Sequence, residues 1–156
     1  MRSFFFEGIN MEKKRIIFDL DRTIMTSGSY KIQEDYFRNI YGEEANDFIS
    51  KIGFYLSQYE FMFPRYTTSD LASFLRMTTG LKITDKIVLD WINLDWTGTD
   101  ILEPGIIDLL EELRMQDKNL IILTNWFLKT QLKRLEDKGI LDYFDEVIGG
   151  DICLKP

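Results

Sequence analysis

Histidine is absent from all 156 residues and cysteine occurs once. The first absence removes imidazole general bases, Ser/His/Asp and Cys/His nucleophile systems and histidine-ligated zinc together. The second leaves Cys153 without an intramolecular partner, so a reducing, cytoplasmic compartment is the default expectation. Basic residues are outnumbered 19 to 26, for a formal charge of -7, and they are scattered. That excludes the electrostatic footprint of a nucleic-acid binder, and any anionic substrate must rely on local positive groups. Long apolar runs are missing too: no window holds the roughly 18 uninterrupted apolar residues of a spanning helix. Phe4-Phe5-Phe6 is too short for a signal core and meets Glu7 and Gly8 at once, so neither a secretion signal nor a membrane anchor is expected. Chemistry in this chain falls to carboxylates, lysine, hydroxyls or a hard metal ion.

What is present is enough apolar material, 45% of residues, to bury a core. The length fits one domain, or a compact domain with a large insertion. The stretch that concentrates chemistry runs from Arg15 to Ile24, where an apolar segment ends in Asp19 and Asp21. Ile16, Ile17, Phe18 and Leu20 have no polar face, which predicts a parallel strand buried on both sides. Asp19 and Asp21 then lie at the carboxyl edge, where open α/β sheets bind ligands. At roughly 4 Å two such carboxylates repel by about 1 kcal/mol in water and about 4 kcal/mol at an effective dielectric near 20. A hard cation such as Mg²⁺ between them, completing its shell with water and phosphate, relieves this.

Along the chain, residues 1–10 read as a poorly ordered leader, with Met11 as a natural start. From Tyr30 to Trp96 the periodicity is helical: Ile32, Tyr36 and Ile40, then Phe48, Ile52 and Leu56, then Leu71, Phe74 and Leu75, then Ile87, Val88 and Trp91. Thr68-Ser69-Asp70 and Thr84-Asp85 supply N-cap chemistry for the last two stretches. Fourteen of the 22 aromatic residues lie in this segment, which therefore needs a core of its own. Lys51, Arg65 and Arg76 within it read as solvated surface charges rather than substrate ligands. Thr97-Gly98-Thr99-Asp100 is a return hinge. A helix from Pro104 with Ile106, Leu109, Leu110 and Leu113 in one stripe precedes a second buried strand, Leu120–Leu123. Thr124-Asn125 either caps the helix that follows or, with that helix's first amides, holds a phosphoryl oxygen. That helix aligns Leu128, Leu132 and Leu135 and stops at Gly139. A short third strand over Glu146–Gly149 leads to Lys155-Pro156.

Asp19-Leu20-Asp21-Arg22-Thr23 resembles the first motif of the haloacid dehalogenase (HAD) superfamily; Ile121-Ile122-Leu123-Thr124-Asn125 resembles the second, and Lys155-Pro156 the third. The resemblance implies an α/β fold, a Rossmann-like parallel sheet incomplete at the C-terminus, built from 11–26 and 99–156. Residues 27–98 would form an inserted helical cap. It further implies Mg²⁺-dependent hydrolysis of a small phosphorylated metabolite. Asp19 would be the nucleophile and metal ligand, Asp21 the general acid/base and second metal residue, and Thr124 and Lys155 catalytic stabilisers. Thr23, Thr124, Asn125 and Lys155 would bind phosphate. The second aspartate separates this pattern from the dehalogenases, whose halide leaving group needs no proton.

The family's fourth, acidic motif has no counterpart before the chain stops, and Asp151 is not a matching substitute. A fragment of a longer polypeptide is the preferred explanation. The others are a partner or swapped copy that supplies the missing sheet edge, as in a homo-oligomer, or a non-catalytic remnant. A phosphosugar mutase uses the same four groups and stays open as a second activity. Loss of the later strand leaves the strand before Asp19 at an edge.

Overall fold

The structure, a computed structural model, describes residues 13–28, 30–62 and 67–151. The leader, Arg65 and Lys155 lie outside the described residues. Three parallel strands, β1 (Arg15–Phe18), β4 (Asn119–Leu123) and β5 (Glu146–Ile148), form a sheet in the order β1-β4-β5. Register runs from Arg15 opposite Asn119 to Phe18 opposite Ile122, and from Ile121 opposite Glu146 to Leu123 opposite Ile148. β4 is central, and Leu120 to Leu123 are all buried, as an apolar run without a polar face requires. β1 stands at the edge, as expected, but is not buried on both sides. It pairs with β4 alone among the described residues, and Ile17 is 60% exposed. An edge strand has cover on one side only, so Ile17 forgoes most of the roughly 1.5–3 kcal/mol that full burial contributes.

Between β1 and β4 come a two-stranded antiparallel ribbon and four helices. β2 (Met25–Ser27) pairs with β3 (Asp100–Leu102), Ser27 opposite Asp100. Neither strand is predicted from the sequence, because each has three residues and its partner lies over seventy positions away. From the ribbon spring α1 (Tyr30–Tyr41), α2 (Asn46–Met62), α3 (Thr68–Thr79) and α4 (Asp85–Ile92). They share a buried cluster that includes Phe37, Phe48, Tyr59, Leu71, Leu75, Val88 and Trp91. Phe37 meets Phe48 and Trp91 edge-on, with centroids 4.7 and 5.1 Å apart, a preferred aromatic geometry. Thr84 caps α4 through the amide of Ile87 as its spacing implies, whereas α3 is capped one residue earlier than expected, by Thr67 accepting from Asp70 N. Lys51 pairs with Asp47 on its own helix, and Arg76 donates to the Ile83 carbonyl at 2.7 Å.

The second cluster lies under the sheet. Leu20, Ile24, Met25, Leu110, Leu120, Ile122, Leu135 and Ile140 are fully buried there. α5 (Ile106–Met115) covers it, but Leu109 is 42% exposed, and Gly105, at φ +76°, takes the N-cap position, so Pro104 stands just outside the helix. α6 (Leu128–Asp137) closes with the amides of Gly139 and Ile140 donating to the carbonyls of Glu136 and Leu135. That is a Schellman motif, and Gly139 at φ +67° is its left-handed residue. No helix among the described residues is long and apolar enough to cross a membrane.

Two contacts hold β5 in place. Asp145 Oδ2 accepts from Leu120 N at 2.8 Å and from Arg114 at 2.7 Å, while its own amide donates to the Leu120 carbonyl. The Leu120 amide, then Arg114, hold this carboxyl below the usual carboxylate range. A depressed folded pKa contributes stability that is present above the unfolded value and is lost as pH falls through the folded one. Asp145→Ala is therefore expected to cost about 1 kcal/mol at neutral pH. The gap to the parent should close in urea melts below the ordinary carboxylate range. Gly149 is the second contact: an added Cβ would lie 2.5 Å from Leu128 N and 2.7 Å from Leu128 Cα. Gly149→Ala must push β5 away from α6, at a cost of about 1–3 kcal/mol, read as a lowered urea midpoint.

Candidate active site

Asp19 and Asp21 follow the end of β1, and Thr124 follows the end of β4. Because the two strands are parallel and in register, their carboxyl ends open on the same side. A tight turn shapes the first: the Leu20 carbonyl accepts the amides of Ile24 and Met25 at 3.0 and 3.2 Å, and Arg22 adopts φ +62°. Asp19, Asp21, Thr124 and Asn125 all line one cavity of about 350 Å³, joined by Gln33 and Glu60 from the helical insert and by Trp96, Trp126, Gln131 and Arg134. Thr23 stays on the exposed outer face of the turn and is not among the lining residues.

Arg134 is the residue that sequence reading misses. Its side chain is 1% exposed, and it donates from Nε and Nη2 to the two oxygens of Asp100, both at 2.9 Å. Nη2 also donates to Asp21 Oδ1 at 2.7 Å, and Nη1 to Gln131 Oε1 at 2.8 Å. Its guanidinium carbon lies 5.5 Å from the centroid of the Trp96 ring, within cation–π range. Burial works against the charge, but the hydrogen bonds to Asp100 and then Asp21, with both negative charges, outweigh it and hold Arg134 above the ordinary arginine value. Gln131 Nε2 in turn donates to Thr124 Oγ1 at 3.1 Å. The Thr124 hydroxyl oxygen thus already accepts, and its proton is the part left to give an incoming oxygen.

Helix α6 therefore turns a polar face inward. Thr130, Gln131, Arg134 and Leu135 are buried, while Leu128 and Leu132 are only half-buried along a shallow outer hollow. The leucine stripe expected to face the core is correct only at Leu135. Gln131 and Arg134 stand three residues apart on one helical face, a legible signal that the leucines overshadow. Neither Thr124 nor Asn125 caps α6: Asp151 Oδ1 accepts from the Leu128 amide at 2.8 Å, so that amide is already engaged. Asn125 Nδ2 donates instead to Glu60 Oε2 at 3.1 Å, joining α2 to the loop after β4.

For a metal, the donor set is sparse and specific. Among the described residues no three acidic or thiol side chains gather into a cage. Asp19 and Asp21 line the cavity together, and Asp21 Oδ2 has no hydrogen bond among the described residues. A donor set this open, led by the exposed Asp19 carboxylate, fits a Mg²⁺ ion that keeps most of its water and takes up phosphate oxygens, and does not fit an ion needing an all-protein shell.

No protein-family profile and no curated protein sequence matches the chain. Solved structures do. The magnesium-bound HAD-hydrolase YfnB from Bacillus subtilis aligns over 88% of this chain and 65% of its own at 20% identity, TM-score 0.60. L-2-haloacid dehalogenase from Xanthobacter autotrophicus aligns over 88% and 56% at 19% identity, TM-score 0.57. A predicted phosphoglycolate phosphatase from Haemophilus somnus aligns over 94% and 66% at 16% identity, TM-score 0.53. The chain thus spans between 56% and 66% of the length of these three structures. With its three-stranded parallel sheet, its helical insertion after the first strand and its acidic turn at the strand end, the chain has the mixed α/β, Rossmann-like fold of the HAD-type hydrolases.

Proposed function

We propose that the protein belongs to the HAD superfamily and is a Mg²⁺-dependent phosphomonoester hydrolase acting on a small phosphorylated metabolite. The observation that carries this reading is the convergence of Asp19 and Asp21 with Thr124, over one hundred positions away in sequence, on one cavity at the carboxyl edge of β1 and β4. A carboxylate oxygen of Asp19 attacks phosphorus in line, an oxygen–phosphorus bond forms and the ester bond breaks. Asp21 gives its proton to the departing oxygen. In the second half a water molecule loses a proton to Asp21 and its oxygen attacks phosphorus. The bond between phosphorus and the Asp19 oxygen then breaks, the Asp19 carboxylate is restored and inorganic phosphate leaves. Thr124 donates its hydroxyl proton to a phosphoryl oxygen, and Lys155, by resemblance, adds a compact cation. Asp19 and the main-chain carbonyl of Asp21 would hold Mg²⁺, which when bound neutralises charge on the phosphoryl oxygens.

The test is phosphate release from an alkyl phosphate and from p-nitrophenyl phosphate in Mg²⁺, with Asp21→Asn beside the parent. A phenolate leaves unprotonated at neutral pH, whereas an alkoxide does not. The variant is expected to lose about 10²–10⁴-fold on the alkyl ester and distinctly less in the first step on the aryl one. Equal losses on both esters in kcat/KM, which reads only the steps up to the aspartyl-phosphate, would remove Asp21 from the acid role. No release from either ester by the parent would favour a non-catalytic binding protein.

A further inference from the structure

Arg134 stands beside the proposed acid with no donor within a substrate's reach. Nη2 carries two hydrogens, and both are committed, one to Asp21 Oδ1 at 2.7 Å and one to Asp100 Oδ1 at 2.9 Å. Nε donates to Asp100 Oδ2 at 2.9 Å and Nη1 to Gln131 Oε1 at 2.8 Å. Four of the five N–H groups of the guanidinium fork are thus engaged, and with the side chain 1% exposed the fifth has no open path to a ligand. Arg134 is therefore placed to orient its neighbours rather than to bind phosphate. Its anchor is firm: Asp100 is 0% exposed and takes two bonds from one fork, which fixes the guanidinium plane. Asp100 also shares the positive charge, so Asp21 meets chiefly one directed N–H. Asp21 is 49% exposed, lines the cavity, and has no hydrogen bond at Oδ2 among the described residues. Because arginine does not give up its proton, Oδ1 remains an acceptor whether or not the acid is protonated.

We propose that Arg134 is a positioning residue for the reaction: from its buried anchor on Asp100 it occupies Oδ1 of Asp21 and so confines the mobile proton of that acid to Oδ2. The proton passes from Oδ2 to the departing oxygen as the ester bond breaks. In the second half Oδ2 takes a proton back from the attacking water, and Arg134 neither gains nor loses one. A carboxyl group free to rotate would spend part of its time with the proton turned away from the leaving group, and misplacement by about 1 Å costs up to about 10²-fold. This inference rests on the hydrolase reading and adds to it the group that aims the acid.

The test reads kcat/KM of the full chain in Mg²⁺ for propyl phosphate, whose alkoxide needs a proton, and for p-nitrophenyl phosphate, whose phenolate does not. Arg134→Met/Asp100→Asn removes the clasp without stranding a buried charge. Its alkyl-to-aryl ratio is expected to fall by about tenfold to a hundredfold, whereas a merely structural role would lower both esters alike and leave the ratio unmoved. In an Asp21→Asn background the same pair of substitutions should change the ratio by no more than about twofold, since no acid is left to aim. An unmoved ratio in the first comparison overturns the inference and leaves the hydrolase reading standing. So does a full fall in the second, because Arg134 would then act otherwise than through Asp21. A parent that cleaves only the aryl ester has no working acid to position, which ends the inference alone. A parent inert on both esters ends the hydrolase reading and the inference with it. Should the double variant not fold, Arg134→Lys keeps a buried cation but loses the fork, and its alkyl-to-aryl ratio decides by the same criterion.

Discussion

Asp19→Asn is expected to lower turnover by at least about 10³-fold while leaving the protein as stable as the parent or slightly more so. The amide is close in shape to the carboxylate but is a far poorer nucleophile, and loss of a residue that forms the covalent bond removes the route rather than slowing it. Stability should not fall, because Asp19 is exposed and stands two positions from another carboxylate. Neutralising one of two like charges relieves up to about 1 kcal/mol of repulsion in a watery setting. The measurement is twofold: phosphate release, and acid-quenched labelling with a ³²P ester to reveal the aspartyl-phosphate. A variant that keeps a tenth of parental turnover, or still accumulates label, would remove Asp19 from the nucleophile's place.

Arg134→Met is expected to cost about 3–5 kcal/mol, the usual penalty for breaking one side of a buried ion pair. Small domains have only about 5–15 kcal/mol in total, so much of the population would unfold in mild urea. The large figure comes from what is left behind: Asp100, whose side chain is 0% exposed, would keep a charge with its bidentate partner gone. Asp21, 49% exposed, has water to turn to and loses less. The double variant Arg134→Met/Asp100→Asn should therefore be more stable than Arg134→Met alone, because the stranded charge has been removed with its partner. Urea unfolding of the four proteins in the cycle reads the coupling. Simple additivity would mean that the pair does not anchor α6 to the β2/β3 ribbon. Turnover by a folded double variant would still be reduced, since Asp21 is no longer held from one oxygen.

Physical separation decides how legible each part is. The strand before Asp19, the strand before Thr124 and the third strand over 146–148 are readable because each is a short apolar run bounded by polar residues, a purely local pattern. The four helices of the insert are readable by their 3.6-residue period, and α4 also by its threonine cap. The β2/β3 ribbon is not, since three-residue strands carry almost no periodicity and the pairing partner is remote. The orientation of α6 is misread for a different reason. Leu128, Leu132 and Leu135 make a plausible apolar stripe, but the helix has a cluster of polar partners to satisfy, and burying Arg134 against Asp100 places the Gln131 face inward. The double-sided burial assigned to β1 fails at Ile17 because burial depends on neighbours that local sequence does not specify.

Local patterning alone thus establishes an α/β chain with a helical insertion, a pair of acids at one strand end and a hydroxyl at another, and a chemistry without histidine. Tertiary structure decides that those groups share a cavity, that Arg134 ties Asp21 to Asp100 across 34 to 113 positions, and that Glu60 and Trp96 join the cavity's lining. The division follows from range. Periodicity and capping are written into a few consecutive residues, whereas an ion pair or a cavity wall depends on backbone paths that meet only after the whole chain has packed.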